Sequence, residues 1–364
     1  MTAPHIVADD AIPHLGDAFG TVTRVRGAAI ERAHLLDADA LLVRSVTRVD
    51  ASLLEGTTVR FVGSATAGVD HVDLEALAAL GITFANAPGC NARAVVEYVL
   101  AATLGFDTLR GPVGVVGHGQ IGRRLTLALR RLGFEVWVCD PPRADAGHDD
   151  EAYLPLPALL ERCNTVSFHV PRVRAGPHRT RHLLDTQGLS RLPRGARVIN
   201  TSRGDVVDNA ALQAWLDAGR GDAMLDVWEG EPTLRWGLLA HPRVVLATPH
   251  IAGYTAEGKA RGTSMVHAAM ATVFDGLPAF DAQHVLPPAP PLPSNLDAAG
   301  VLRTVHPLHE TDTALRALLQ HSTADRPGAF EALRRGYAFR RELSAFGPTS
   351  GARRLWDALD GLSV

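Results

Sequence analysis

Lysine is almost absent from this chain. Of its 36 basic residues only Lys259 is a lysine, which disfavours imine chemistry spread over several amines. Cysteine is scarce as well. Cys90, Cys139 and Cys163 cannot all pair within one chain and show no C-x-x-C spacing for a metal, so a reduced, cytoplasmic protein is expected. No apolar run approaches the ~18 residues of a membrane helix, and Asp9 and Asp10 stand where a secretory leader would need an apolar stretch. Charge of one sign is missing too: the formal net charge is −3 and the arginines are scattered, not striped. Neither nucleic acid nor an anionic membrane is an expected partner.

What is present is the make-up of a globular protein, 46% hydrophobic and 21% charged over 364 residues, a length that calls for more than one core. Short apolar runs alternate with helical patterns. Ala40–Val43 and Val59–Gly63 read as buried strands, and Leu74–Leu80 as a helix ended by Gly81. A long helical pattern runs from Ala92 to about Leu104. Beyond Gly111-Pro112 the runs Val113–Val116, Val136–Cys139, Thr165–Phe168, Val198–Asn200, Ala223–Leu225 and Val244–Leu246 describe a doubly wound parallel sheet. A Pro-rich stretch from Leu286 to Pro293 reads as a stiff linker. The tail behind it has helical patterns at Thr313–His321 and Ala352–Leu362 and is small for an independent core.

Gly117-His118-Gly119-Gln120-Ile121-Gly122 follows the strand Val113–Val116 and opens the helical run Arg123–Leu132. The first glycine permits the turn, the second lets a pyrophosphate approach the backbone, and the third lets helix and strand pack closely. The helix N-terminus offers free N–H donors and the positive end of its dipole to phosphates. The next strand ends at Asp140, where a carboxylate can accept from ribose hydroxyls and would repel a 2′-phosphate, so NAD is expected as the cofactor.

Three residues suited to hydride chemistry stand after successive strands: Arg203, Glu231 and His250. Dehydrogenation of a 2-hydroxy acid needs a cation for the carboxylate, a group to move the hydroxyl proton, and a partner to orient that group. Singly, each admits a plainer reading: a surface cation, a turn residue before Pro232, a core histidine. Together at strand C-termini they are read as one site. Cys90 reads as a buried turn residue. His14, His34, His148 and His178 show no ligand pattern, and no metal is expected.

These segments resemble the D-2-hydroxyacid dehydrogenase family. The likeness extends over nearly the whole chain, through Val43–Thr47, Ser64–Asp73, Ala87–Ala92, Cys139–Arg143, Asp226–Pro232 and Pro249–Thr263. The resemblance implies that Arg203 binds the substrate carboxylate, that His250 exchanges the hydroxyl proton, and that Glu231 hydrogen-bonds His250 and favours its protonated form. It implies substrate contacts from Ser45, Thr66 and Tyr254. Gln120, Ile121, Asp140, Val170 (through its backbone), Thr201, Arg203, Asp226 and Gly253 would line the NAD beside Gly117, Gly119 and Gly122. The substrate is expected to be a small phosphorylated 2-hydroxy acid. Arg44 is its natural phosphate partner, helped by Arg340 or Arg341 of the tail from the same or a second subunit.

The expected fold class is α/β. A doubly wound (Rossmann) NAD domain, 92–257, is inserted in a smaller α/β lid or substrate domain, 1–91 and 258–282. A linker, 283–294, leads to a C-terminal α-rich (α+β) dimerisation domain, 295–364, in a homodimer. The substrate is expected between lid and NAD domain. Two alternatives remain: another member of the family, such as one acting on 3-phosphoglycerate, and a non-catalytic NAD-sensing regulator.

Overall fold

A computed structural model describes residues 3–147 and 151–362, so that His148 lies outside the described residues. The chain divides into two compact units. One runs up to Asn91 and resumes over Tyr254–Pro288; the other comprises Ala92–Gly253 and the chain from Ala289 onward.

The first unit is built on five parallel strands, β1 (Ile6–Asp9), β2 (Thr23–Val25), β3 (Ala40–Val43), β4 (Phe61–Ser64) and β5 (Thr83–Ala85), in the order β2-β1-β3-β4-β5. Alternate residues face opposite sides of the sheet. Val7, Leu41, Val43 and Val62 join one apolar cluster, while Ile6, Ala8, Ala40, Leu42 and Phe61 join another. The second cluster is closed by Val266 and Met270 of the helix Ala256–Met270. That helix makes the segment after Gly253 part of this unit.

The second unit carries six parallel strands: β6 (Val113–Val116), β7 (Val136–Cys139), β8 (Thr165–Phe168), β9 (Ala196–Asn200), β10 (Gly221–Leu225) and β11 (Val244–Ala247). Their order is β11-β10-β9-β8-β6-β7. The chain leaves β6 for β7 on one side and crosses to β8 on the other, so the topological switch point lies between β6 and β8. Doubly wound sheets bind their ligands at that point, beyond the strands' carboxyl ends. All six runs read as strands from the sequence are strands, with β9 and β10 starting two residues earlier than their apolar runs.

The tail belongs to this second unit. Leu315, Leu318 and Phe330 enter the same apolar cluster as Phe168, Trp215 and Trp228. Asp312, on the helix Leu308–Ala317, accepts from the N–H of Ala247 at 2.7 Å, and Arg316 donates to the carbonyls of Leu239 and Val244. The edge strand β11 is thereby covered, not left open to another chain. At the far end, the helix Arg353–Leu359 and the residues after it present their last carbonyls to arginines. Arg93 donates to Leu359, Arg124 to Leu362 and Arg131 to Asp360.

Candidate active site

The glycine-rich loop leaves β6 at the switch point. Gly117 has φ +92°, and a β-carbon there would lie 2.6 Å from the carbonyl oxygen of His169, in the loop after β8. At Gly122, the first residue of the helix Gly122–Arg131, a β-carbon would lie 1.8 Å from the Gly117 carbonyl oxygen. Only hydrogen fits at either position, so strand, turn and helix close tightly. At Gly119 a β-carbon would meet nothing within 4 Å, which leaves the backbone open to close approach. Asp140, after β7, accepts from the His118 N–H at 2.7 Å and from the Arg143 N–H at 3.1 Å. Its carboxylate therefore ties the loop to β7 and retains acceptor capacity for hydroxyl groups. An open backbone, a helix N-terminus and an acid on the neighbouring strand fit a dinucleotide.

Beside this loop Thr201 is buried and lies 3.4 Å from His169 Nδ1, whose other ring nitrogen meets Ser167 Oγ at 2.8 Å. Burial pushes the His169 ring down to about 3, so it is a neutral structural group.

The three chemical residues follow three adjacent strands. Arg203 follows β9 in an extended conformation, its Nη1 donating to the Ser202 carbonyl at 2.8 Å. The turn is braced by Asn200, whose side chain donates to the Arg203 carbonyl at 2.9 Å and accepts from the Ser202 N–H and hydroxyl. Glu231 lies in the loop after β10. One carboxylate oxygen accepts from the Trp228 N–H at 2.7 Å, and the other lies 2.7 Å from His250 Nδ1. Burial alone would raise the Glu231 carboxyl, but the charge and hydrogen bond of His250, together with the Arg334 charge and the Trp228 N–H, outweigh it and hold the group below the ordinary carboxylate range.

His250 itself sits at φ 60°. For a residue with a β-carbon this left-handed conformation costs on the order of 1–3 kcal/mol and persists only when its surroundings impose it. Asp226 does so. Its backbone carbonyl accepts from the His250 N–H at 2.7 Å, and its buried carboxylate accepts from the N–H groups of Ile251 and Ala252 at 2.7 and 3.0 Å and from the Thr248 hydroxyl at 2.7 Å. Asp226 was read from the sequence as lining the cofactor; in the structure its carboxylate holds the histidine turn.

One expectation for the substrate side changes. Arg340 is buried, and its guanidinium donates to the carbonyls of Ala94, Ile251 and Ala252, so it is not a phosphate ligand. Arg44 is held by the buried Asp9 through Nε at 2.9 Å and Nη2 at 3.1 Å, which fixes its head and leaves Nη1 outside that pair. In the same unit Thr66 donates to the Gly68 carbonyl at 3.1 Å, Ser45 is exposed, and Lys259 Nζ lies 3.9 Å from the centre of the Tyr254 ring.

Among the described residues one group has the make-up of a metal site: His182, Asp208 and Glu229. Glu229 meets His182 Nε2 at 2.7 Å, whereas Asp208 lies 3.6 Å from Nδ1. Carboxylates on two different ring nitrogens suit protons better than one shared ion.

Comparison with known proteins agrees with this geometry. Residues 99–252 match the family described as D-isomer specific 2-hydroxyacid dehydrogenase, NAD binding domain. The erythronate-4-phosphate dehydrogenase of Azotobacter vinelandii is 46% identical over 359 residues, covering 93% of both chains. That of Escherichia coli is 45% identical over 358 residues, covering 93% of this chain and 92% of its own. Among solved structures, the D-lactate dehydrogenase from Aquifex aeolicus complexed with NAD and lactic acid superposes with a TM-score of 0.62 at 22% identity. It covers 74% of this chain and 95% of its own, a likeness of fold. The chain belongs to the D-isomer specific 2-hydroxyacid dehydrogenase family and, within it, groups with the erythronate-4-phosphate dehydrogenases.

Proposed function

We propose that this protein oxidises 4-phospho-D-erythronate at carbon 2 to the 2-oxo acid, with NAD, as a step of vitamin B6 biosynthesis. The observation that carries the reading is the Glu231–His250 pair at 2.7 Å on a turn that Asp226 locks. Because Glu231 occupies Nδ1, Nε2 is the nitrogen left to meet a substrate hydroxyl. His250 takes the hydroxyl proton through Nε2 as the carbon–hydrogen bond at carbon 2 breaks. Arg203 grips the carboxylate with its planar fork and polarises the reacting oxygen, a task a lysine would not match. NAD, when bound, supplies the hydride acceptor. Gly117, Gly119, Gln120, Ile121 and Gly122 cradle it with Val170, Thr201 and Gly253, and Asp140 accepts from its ribose and disfavours a 2′-phosphate. Ser45, Thr66 and Tyr254 contact the substrate, and Arg44, fixed by Asp9, is its phosphate partner. The enzyme works in the cytoplasm as a homodimer, an assembly that light scattering reads directly.

The test is incubation of the purified protein with 4-phospho-D-erythronate and direct detection of the 2-oxo product. A parallel sample contains a 2-oxo acid acceptor, so that retained NADH cannot hide turnover. His250→Asn is expected to lower turnover by about 10²–10⁴. No product under either condition, with NAD still bound, would sink the substrate assignment. Faster oxidation of 3-phosphoglycerate would redirect it within the family.

A further inference from the structure

The tail reaches the turn that carries His250. Arg340 donates through Nη1 to the Ile251 carbonyl at 3.1 Å and through Nη2 to the carbonyls of Ala252 and, at 3.2 Å, Ala94. Ile251 and Ala252 are the two residues after His250, and their N–H groups are the ones Asp226 accepts. This stretch of backbone is thus gripped from both sides, its amides by a carboxylate and its carbonyls by a guanidinium. The segment bearing Arg340 is itself anchored. The Leu343 N–H donates to both carboxylate oxygens of Glu97, at 3.1 and 3.0 Å, and Glu97 pairs with Arg93 at 2.8 Å. A left-handed histidine needs such outside constraint, and the strong charge-assisted bonds of a planar fork supply it.

We propose that Arg340 is a positioning residue for proton transfer: it holds the backbone after His250 so that the ring keeps its line to Glu231 and to the substrate hydroxyl. The inference rests on the reading of His250 as the proton-transfer group. It makes the C-terminal segment part of the machinery of turnover and not only a packing element.

The experiment compares Arg340→Met, Arg340→Lys and His250→Asn in the full chain, each checked for folding and NAD affinity. Small misplacements of a reacting group cost up to about 10²-fold in rate. Arg340→Met is therefore expected to lower kcat roughly 10- to 100-fold, with KM for the substrate and affinity for NAD within about twofold of the unmodified protein. Arg340→Lys, which can reach one carbonyl but not clamp two, is expected to recover part of the loss. A folded Arg340→Met with kcat within about twofold of the original overturns the inference, and so does a loss of kcat matched by an equal loss of NAD affinity. Should Arg340→Met not fold, Arg340→Lys decides by the same criteria. An active His250→Asn overturns the underlying reading and the inference with it, whereas an inactive one beside a normal Arg340 variant removes the inference alone.

Discussion

Neither ring nitrogen of the fully buried His306 has a hydrogen-bond partner; the nearest acid, Glu97, lies 3.8 Å from Nε2. Burial, reinforced by the charge of Arg340, lowers the pKa of this ring well below the ordinary histidine range. A buried polar group without a partner costs on the order of 1–3 kcal/mol. Replacing His306 by leucine, of similar bulk, is therefore expected to raise unfolding stability by about 1 kcal/mol in a urea titration. A less stable His306→Leu chain would mean that the ring's packing outweighs its unmet hydrogen bonds. Arg203, Glu231 and His250 stand out because each follows an apolar run by a few positions. What Asp226, Asn200 and Arg340 do was not legible, since their roles are hydrogen bonds to backbone. Nothing in a local pattern shows that Arg340 meets the carbonyl of a residue 89 positions earlier.

At the scale of elements, the parallel sheet of the second unit was readable because its inner strands are buried on both faces and so each contains a short apolar run. β2 and β5 gave no such signal. They are the edges of the first sheet, three residues long with no fully buried residue, and have the sequences Thr23-Arg24-Val25 and Thr83-Phe84-Ala85. β1, though central, is only four residues long and ends in Asp9. The tail looked like a separate domain because a Pro-rich stretch precedes it, but it groups with the second unit, whose apolar cluster takes in Leu315, Leu318 and Phe330. Their hold on β11 is testable. Asp312→Ala removes the acceptor of the Ala247 N–H and a partner of Arg316. The loss is expected to be about 1–3 kcal/mol in thermal or urea unfolding, with NAD affinity preserved. An unchanged midpoint would show that the Asp312 carboxylate adds nothing to the hold on this edge.

For the whole molecule, the buried neutral histidines set the response to acid. His169 is lowered from 6.5 to about 3, and His306 is lowered as well. Once pH falls below the ordinary histidine value, the unfolded chain binds protons that the folded chain refuses. Stability is therefore lost as pH falls from 6.5 toward 3, by about 1.4 kcal/mol per pH unit for His169, and is restored above that window; His306 acts in the same direction. Urea titrations at several pH values should show this slope, and His306→Leu should make it shallower. A flat profile between pH 6 and 4 would rule it out. Alkali acts differently on the far end of the chain. The clasps at Leu359, Asp360 and Leu362 join guanidinium groups to peptide carbonyls. A guanidinium stays charged beyond about pH 12, and a carbonyl has no proton to give up. Where lysine ammonium groups would discharge, these fastenings keep their charge, so the choice of arginine over lysine leaves the end of the chain tied down in strongly basic solution.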